Sequence, residues 1–382
     1  GEEVTSALWS DGRWHLECAS GRTDTADVVI AATGVLHHPS QPAIEGLDTF
    51  GGAAFHSARW DHTVDVDGRR VGVIGNGSTG VQIVGALVDR VEHLDLFQRT
   101  AQWVMPLDNP EYSEEDKQSW RRDPESLPAL HHKLSELYTK FSNAVIDADS
   151  AEIHAIAEMC LANLEGSIED PGLRERLRPD HRAGCKRLVI SSSFYDAISR
   201  PNAELVTEAI ERVEPDGVRT VDGVLHELDV LVLATGFSAD AFMRPMELVG
   251  RNGVTLEAAW RDGPVAYMSM SIPGFPNLFM LNGPNGPVGN FSLIEVAERQ
   301  FAYIEQLLEL LETDSVREVC ATAEATEAHE AARVEAAANT IWVTGCNSWY
   351  LDDRGVPAAW PWTFQHFRDV MATPDMSAWD VR

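Results

Sequence analysis

A G-x-G-x-x-G motif occupies residues 75–80 and lies between two apolar segments. Residues 71–74 form a short β-branched run that predicts a buried strand. Residues 78–88 carry apolar side chains at helical spacing, and residues 93–98 predict another strand. The motif alone is weak evidence, but this order of strand, turn, helix and strand is typical of a dinucleotide-binding βαβ unit.

Each glycine of the motif has a physical role. Gly75 permits the tight turn, Gly77 lets the backbone approach a pyrophosphate, and Gly80 lets the helix pack close to the strand. The free N–H groups at the start of the helix attract an anion. We therefore expect the nucleotide to bind at Gly75, Gly77, Ser78, Thr79, Gly80 and Gln82.

The residues after the second strand predict which nucleotide binds. An NAD site usually has an acidic residue there, whereas this chain has Gln98-Arg99-Thr100. A guanidinium and a hydroxyl suit a 2′-phosphate, so Arg99 and Thr100 favour NADP. The alternative is that Arg99 is a solvated surface residue.

Composition excludes several functions. The net charge of −30 argues against nucleic acid or anionic membranes as partners. The cysteine spacing excludes a C-x-x-C redox pair and a paired-cysteine zinc site, so we expect no metal. No apolar run approaches the ~20 residues of a membrane span and no secretory signal opens the chain, so we expect a cytoplasmic protein.

A second motif precedes the first. Phe50, Gly52, His56 and Trp60, followed by Asp61, resemble the fingerprint F-x-G-x-x-x-H-x-x-x-W of the Baeyer–Villiger monooxygenases. In that family the segment links the FAD domain to the NADP domain, which implies a role for His56 in coupling them. From the residues alone, a hydrogen-bonded turn histidine is the alternative. The resemblance at Trp60-Asp61 favours ketone oxidisers over N-hydroxylating or S-oxidising flavin enzymes.

Further segments extend the resemblance to nearly all of the chain. Lys186 matches a lysine that binds the 2′-phosphate and Arg187 matches the catalytic arginine beside the flavin, although two adjacent cations also suit a solvated face. Trp349 matches a tryptophan that contacts the NADP ribose, with a core tryptophan as the alternative. The resemblance places the flavin against two Ala-Thr-Gly segments and one later loop, at Thr33, Gly34, Thr235, Gly236 and Asn285.

The resemblance implies an α/β, two-dinucleotide-binding (Rossmann-like) flavoprotein. Its FAD domain is split by an inserted NADP domain that carries a helical insert. We expect FAD-domain residues and the hinge at 1–66, the NADP domain at 67–226 with the insert at about 107–180, and the returning FAD segment at 227–382. Ser292 and Glu295 predict a capping box for a long amphipathic helix in that last segment.

The sequence departs from the family at its start. The relatives open with their own G-x-G-x-x-G for FAD, and this chain begins only about 30 residues before its first Ala-Thr-Gly. That turn and the family's catalytic aspartate are absent. We therefore expect a fragment of a longer enzyme, with a split enzyme or a degenerate protein as alternatives.

The implied activity is that of a monooxygenase that uses FAD, NADPH and O₂ to convert ketones to esters or lactones. Within that family, the sequence most resembles the 4-hydroxyacetophenone monooxygenase-like branch. The alternatives are an N- or S-oxygenating flavin monooxygenase and a non-catalytic NADP-binding remnant. The ketone and the oligomeric state are not predicted.

Overall fold

The computed structural model describes residues 1–107, 109–287, 291–313 and 315–382. The chain forms two compact units. The first contains residues 1–35, 124–150 and 239–382, and the second contains residues 36–123 and 151–238.

The strands are β1 (Val4–Ser10), β2 (Arg13–Cys18), β3 (Thr23–Ala26), β4 (Val29–Ala31), β5 (Ala53–His56), β6 (Arg70–Ile74), β7 (His93–Phe97), β8 (Val104–Met105), β9 (Val189–Ile190), β10 (Ala203–Val206), β11 (Ile210–Glu214), β12 (Gly217–Thr220), β13 (Leu225–Glu227), β14 (Val230–Leu233), β15 (Glu247–Val249), β16 (Leu278–Met280), β17 (Val319–Ala321) and β18 (Trp379–Val381). The helices are α1 (Ser78–Leu87), α2 (Glu114–Arg122), α3 (Ser126–Asn143), α4 (Ala151–Ser167), α5 (Pro171–Arg176), α6 (Phe194–Ile198), α7 (Leu256–Ala259), α8 (Leu293–Leu311), α9 (Ala323–Ala337) and α10 (Phe364–Val370).

The second unit is built on a five-stranded parallel sheet in the order β10-β7-β6-β14-β5. The predicted βαβ unit is confirmed as β6, α1 and β7. Strands β6 and β14 are buried along nearly their whole length, because layers of structure cover both faces of the sheet. This arrangement confirms the α/β fold class.

The two faces of the sheet follow the period-two alternation of each strand. Leu94 and Leu96 of β7 pack with Val84 of α1 in a core on the helix side. Phe97 packs with Val213 and other residues of the three-stranded antiparallel sheet β11-β12-β13 on the opposite side. The antiparallel sheet is therefore the second covering layer.

One strand is not where we expected it. We placed the strand before Thr235-Gly236 in the returning flavin segment, but β14 pairs in parallel with both β6 and β5 in the sheet of the glycine-rich turn. Short apolar runs suit any buried parallel strand, so the sequence did not distinguish between the two sheets. The other Ala-Thr-Gly strand, β4, pairs with β16 in the first unit and is half-buried rather than buried.

The first unit also contains the four-stranded sheet β15-β1-β2-β3. The predicted turn at Asp11-Gly12 connects β1 to β2, with φ angles of 53° and 75°, which suit a tight hairpin. Trp9 and Trp14 pack edge to face at 5.4 Å, and the Trp14 indole donates to the Pro276 carbonyl at 2.9 Å. The hairpin is thereby fastened to the segment before β16.

The predicted capping box at α8 is half correct. Ser292 is the N-cap and accepts from the Glu295 N–H at 3.4 Å. The Glu295 carboxylate instead accepts hydrogen bonds from Arg368 at 2.9 Å and from the Ser135 hydroxyl at 2.8 Å. A buried carboxylate gains more from these charge-assisted bonds than from a backbone N–H.

The residues of the predicted helical insert, about 107–180, are divided between the two compact units. Residues 124–150, which include α3, belong to the first unit, while α2, α4 and α5 belong to the second. Ser135 on α3 bonds to both Glu295 and Arg368, and these contacts attach α3 to α8 and α10. Among the described residues, no helix is long and apolar enough to cross a bilayer.

Candidate functional site

The glycine-rich turn has the geometry that the motif predicted. Gly75 has a φ of 105°, and its N–H donates to the Phe97 carbonyl at 3.1 Å. A Cβ at Gly80 would lie 1.9 Å from the Gly75 carbonyl oxygen. Both positions therefore require glycine, the first for its backbone conformation and the second for the close approach of α1 to the turn.

Helix α1 begins next to this turn with an N-terminus suited to an anion. Its N-cap is Gly77, which supplies no capping side chain, and a Cβ at Gly77 would meet nothing within 4 Å among the described residues. Ser78, Thr79 and Gln82 lie on the first turns of the helix and are half-buried or exposed. The first N–H groups of α1 can therefore bind a phosphate, and the roles of these residues as ligands stay predictions.

Asn76 organises the site, and the sequence analysis had not singled it out. It is buried, and its side-chain NH₂ donates to the Gln98 side-chain oxygen at 2.8 Å and to the Thr100 carbonyl at 2.9 Å. The Gln98 NH₂ donates in turn to the Arg176 carbonyl at 2.7 Å. The loop that carries Arg99 and Thr100 is thereby fastened to the glycine-rich turn. In the sequence, this role could have been suspected only because Asn76 is a polar residue inside the glycine-rich motif.

Lys186 and Arg99 are near each other although they are far apart in sequence. Burial lowers the pKa of Lys186, Asp180 opposes that shift, and the positive charge of Arg99 lowers the pKa further. Arg99 itself is exposed, on the loop after β7. Two positively charged side chains therefore lie near the loop that follows β7. This is the electrostatic arrangement that a 2′-phosphate requires.

His181 is a further member of this cluster that sequence reasoning missed. Its side chain is only 9% exposed, and its Nδ1 lies 3.4 Å from Asp180. Within the part of the chain that is described, its Nε2 has no hydrogen-bond partner. Burial and the neighbouring Lys186 lower the pKa of His181. Together with Trp103 and other residues, His181 lines a cavity of about 380 Å³. The sequence pointed to it only as a histidine shortly before Lys186.

Arg187 follows Lys186 in the turn before β9 and is exposed. Its guanidinium makes no hydrogen bond or ion pair with the other described residues. An arginine without a structural partner is available to a ligand, and its catalytic role stays a prediction.

His56 lies at the end of β5 and is buried, with 2% exposure. Its Nδ1 accepts from the Ala58 N–H at 3.1 Å, so Nε2 carries the proton and donates to the Gly236 carbonyl at 3.0 Å. Its ring also packs against Phe237. Both nitrogens are used within the chain, which agrees with the alternative of a hydrogen-bonded turn histidine.

The second Ala-Thr-Gly is therefore held from two sides. The Thr235 hydroxyl donates to the Ser40 carbonyl at 2.6 Å, and the Ser40 N–H donates to the Gly236 carbonyl at 2.9 Å. Gly236 has a φ of 82°, which favours glycine. These contacts explain the motif structurally, and contact with a flavin stays a prediction.

The remaining predicted residues lie in the first unit. Thr33 and Gly34 follow β4 and are exposed. The Asn285 NH₂ donates to the Pro264 carbonyl at 3.1 Å. Trp349 is 47% exposed and stacks on Tyr350 at 4.3 Å, so it is not a core tryptophan. A larger cavity of this unit, about 580 Å³, is lined by Arg251, Cys320, Arg382 and neighbours and contains none of the predicted residues.

Comparison with known proteins identifies the relatives of this arrangement. A family described as "Flavin-binding monooxygenase-like" matches residues 6–112. A Baeyer–Villiger monooxygenase of Streptomyces coelicolor is 36% identical over 99% of this chain and 74% of its own length. An uncharacterized monooxygenase of Mycobacterium tuberculosis is 46% identical over 100% of this chain and 77% of its own length.

The structural comparison agrees. The NADP⁺-bound cyclohexanone monooxygenase from Rhodococcus sp. Phi1 superposes with a TM-score of 0.87 at 30% identity. That alignment covers 100% of this chain and 80% of the other.

Proposed function

Because the chain belongs to the Baeyer–Villiger monooxygenase family, we propose that it converts a ketone to an ester or lactone with NADPH and O₂, with FAD as the bound flavin. The observation that carries this proposal is the 36% identity with a Baeyer–Villiger monooxygenase over 99% of the chain. When bound, the two cofactors supply the redox chemistry, with NADPH as the electron donor to the flavin and O₂ as the oxidant.

The second unit fits NADP well. The start of α1 offers N–H groups to the pyrophosphate, and the glycine at position 80 keeps the helix close to the turn. Arg99 and Lys186 supply two positive charges for the 2′-phosphate, and Asn76 holds the loop of Arg99 in place. We propose Trp349, exposed in the first unit, as a cofactor-binding residue, as the family resemblance implies.

The proposed flavin contacts are compatible with their local structure. Thr33 and Gly34 are exposed, and a Cβ at Gly34 would meet none of the described residues within 4 Å. Asn285 has a φ of 61°, which bends the loop after β16. Thr235 and Gly236 support this role through backbone shape, because the Thr235 hydroxyl is already bonded to Ser40.

Arg187 is the proposed catalytic residue. A guanidinium keeps its charge at every relevant pH, whereas a lysine in a dry site loses its proton more readily. A fixed positive charge stabilises negative charge that develops on a reacting oxygen. The exposure of Arg187 and its lack of a partner among the described residues leave its guanidinium free for that purpose.

His56 has a positioning role in this proposal. Its two ring nitrogens are engaged by Ala58 and Gly236, so it holds the Ala-Thr-Gly backbone rather than moving a proton. Trp60 packs edge-on against Phe55 at 4.9 Å, and Asp61 accepts from the Thr63 N–H at 2.9 Å. The hinge motif therefore maintains the shape of the segment that runs into β6.

We further propose aryl or bulky ketones as substrates, from the resemblance to the 4-hydroxyacetophenone branch, and the cytoplasm as the location. The neighbouring cyclohexanone monooxygenase makes cyclohexanone a second test substrate.

The test supplies the gene product that contains this chain with FAD, NADPH and either ketone, and detects products by mass spectrometry. An amine and a sulfide are run in parallel. Ester or lactone formation that depends on NADPH supports the proposal. Oxygenation of only the amine or sulfide would move the protein to the N- or S-oxygenating enzymes, and NADP binding without any product would favour a non-catalytic protein.

A further inference from the structure

The second unit holds a group of metal-ligating side chains between its two sheets. His93 and Asp95 are alternate residues of β7, so they face the same side. Glu204 on β10 is the direct cross-strand partner of Asp95. His226 on β13 reaches the same carboxylate from the antiparallel sheet. Side chains from three strands of two sheets therefore meet around the Asp95 carboxylate.

The distances within this group suit a single cation. The His93 Nε2 lies 3.0 Å from one Asp95 oxygen, and the His226 Nδ1 lies 3.6 Å from the other. Ligand atoms of His93, Asp95 and Glu204 all lie within 4.8 Å of one another. Donors about 2.0–2.2 Å from a tetrahedral zinc are ~3.3–3.6 Å apart, which is close to the two distances from Asp95. Metal binding would require the other donor pairs to reach the same spacing.

The charges of the group also favour a cation. The Asp95 side chain is only 3% exposed, and Glu204 lies directly opposite it on the neighbouring strand. Two carboxylates directly opposite each other destabilise a sheet, and a bound cation would remove this cost.

We propose that His93, Asp95, Glu204 and His226 form a binding site for one divalent transition-metal ion, with Zn²⁺ as the best match. Two imidazoles and two carboxylates suit Zn²⁺, whereas Mg²⁺ and Ca²⁺ prefer oxygen ligands alone. The site differs from the nucleotide site, because His93 opens β7 whereas the nucleotide turn follows the end of β6.

The site is structural rather than catalytic. Its ligands lie on β7, β10 and β13, so a bound ion joins the parallel sheet to the antiparallel sheet that covers it. Unfolding separates these strands and destroys the site, so the ion should stabilise the folded state.

The experiment titrates the tag-free, metal-stripped protein with Zn²⁺ by calorimetry and with Co²⁺ by visible absorption, and measures the melting temperature with each ion and with Mg²⁺. We expect one Zn²⁺ per chain, Co²⁺ bands typical of tetrahedral nitrogen and oxygen ligands, and a higher melting temperature with Zn²⁺ but not with Mg²⁺. His93→Ala should weaken Zn²⁺ binding at least ~tenfold, since it removes a ligand.

Glu204→Gln is the second variant, because it alters an exposed ligand without touching the core. The matched controls are His62→Ala and Glu208→Gln, two exposed residues of the same unit outside the group. Zn²⁺ binding that survives in both ligand variants, or is lost equally in the controls, would place the metal elsewhere and overturn the proposal. Absence of stoichiometric Zn²⁺ binding in the parent protein would overturn it as well.

Discussion

Selectivity for NADP over NAD should depend on Lys186 and Arg99, and to different degrees. Charge-assisted hydrogen bonds contribute about 1.5–3 kcal/mol each, and ~1.4 kcal/mol corresponds to tenfold in affinity. Arg99 is exposed, so solvent and salt screen its charge. Lys186 is half-buried and burial lowers its pKa, so its charge is less screened.

We therefore expect Arg99→Ala to weaken NADP⁺ binding about tenfold and Lys186→Ala to weaken it up to about a hundredfold. Affinity for NAD⁺ should change little in either variant, because NAD⁺ lacks the 2′-phosphate. The double variant should bind the two nucleotides almost equally. Added salt should reduce the effect of Arg99→Ala more than that of Lys186→Ala.

Calorimetric titration of both nucleotides into the four proteins measures these changes directly. Arg90→Ala is the matched control, because Arg90 is an exposed arginine of the same unit that pairs with Asp67 at 2.7 Å. The reasoning is refuted if selectivity persists in the double variant, or if Arg90→Ala reduces it as much as Arg99→Ala does.

Three further predictions concern catalysis, the turn and pH. Arg187→Ala should leave the affinity for NADP⁺ nearly unchanged but lower the ester formed per NADPH consumed by about a hundred- to a thousandfold. Arg187→Lys should restore part of this ratio. An unchanged ratio in Arg187→Ala would remove Arg187 from the catalytic residues. Gly80→Ala should lower the unfolding free energy by about 2–4 kcal/mol, because the new Cβ would lie 1.9 Å from the Gly75 carbonyl oxygen. Gly77→Ala should fold normally, because no described atom lies within 4 Å of a Cβ at that position. Equal stability of the two variants in urea would contradict this. Burial lowers the pKa of His329 from 6.5 to about 4. The unfolding free energy should therefore be highest above pH 6.5 and fall by up to about 3 kcal/mol towards pH 4, because the unfolded state binds the proton first. His329→Gln should flatten this pH profile, whereas the control His15→Gln should not.

Local sequence was sufficient wherever a feature depends on near neighbours. The strand, glycine-rich turn and helix at β6 and α1 are encoded within about twenty residues, because hydrophobic period and glycine conformation are local properties. The same holds for the Asp11-Gly12 hairpin and for the Ser292 N-cap of α8. The family fingerprint around His56 is also a local pattern, and the hinge that it implies stays a prediction.

The βαβ nucleotide unit and the residue types at its turn therefore follow from local sequence, whereas the long-range partners depend on how the whole chain packs. The position of β14 beside β6, the approach of Lys186 to Arg99, and the bonds of Glu295 to Arg368 join residues far apart in the chain. One buried apolar strand resembles another in sequence, and a charge pairs with whichever opposite charge the fold brings near. These pairings follow from the total free energy of packing, which no local pattern records.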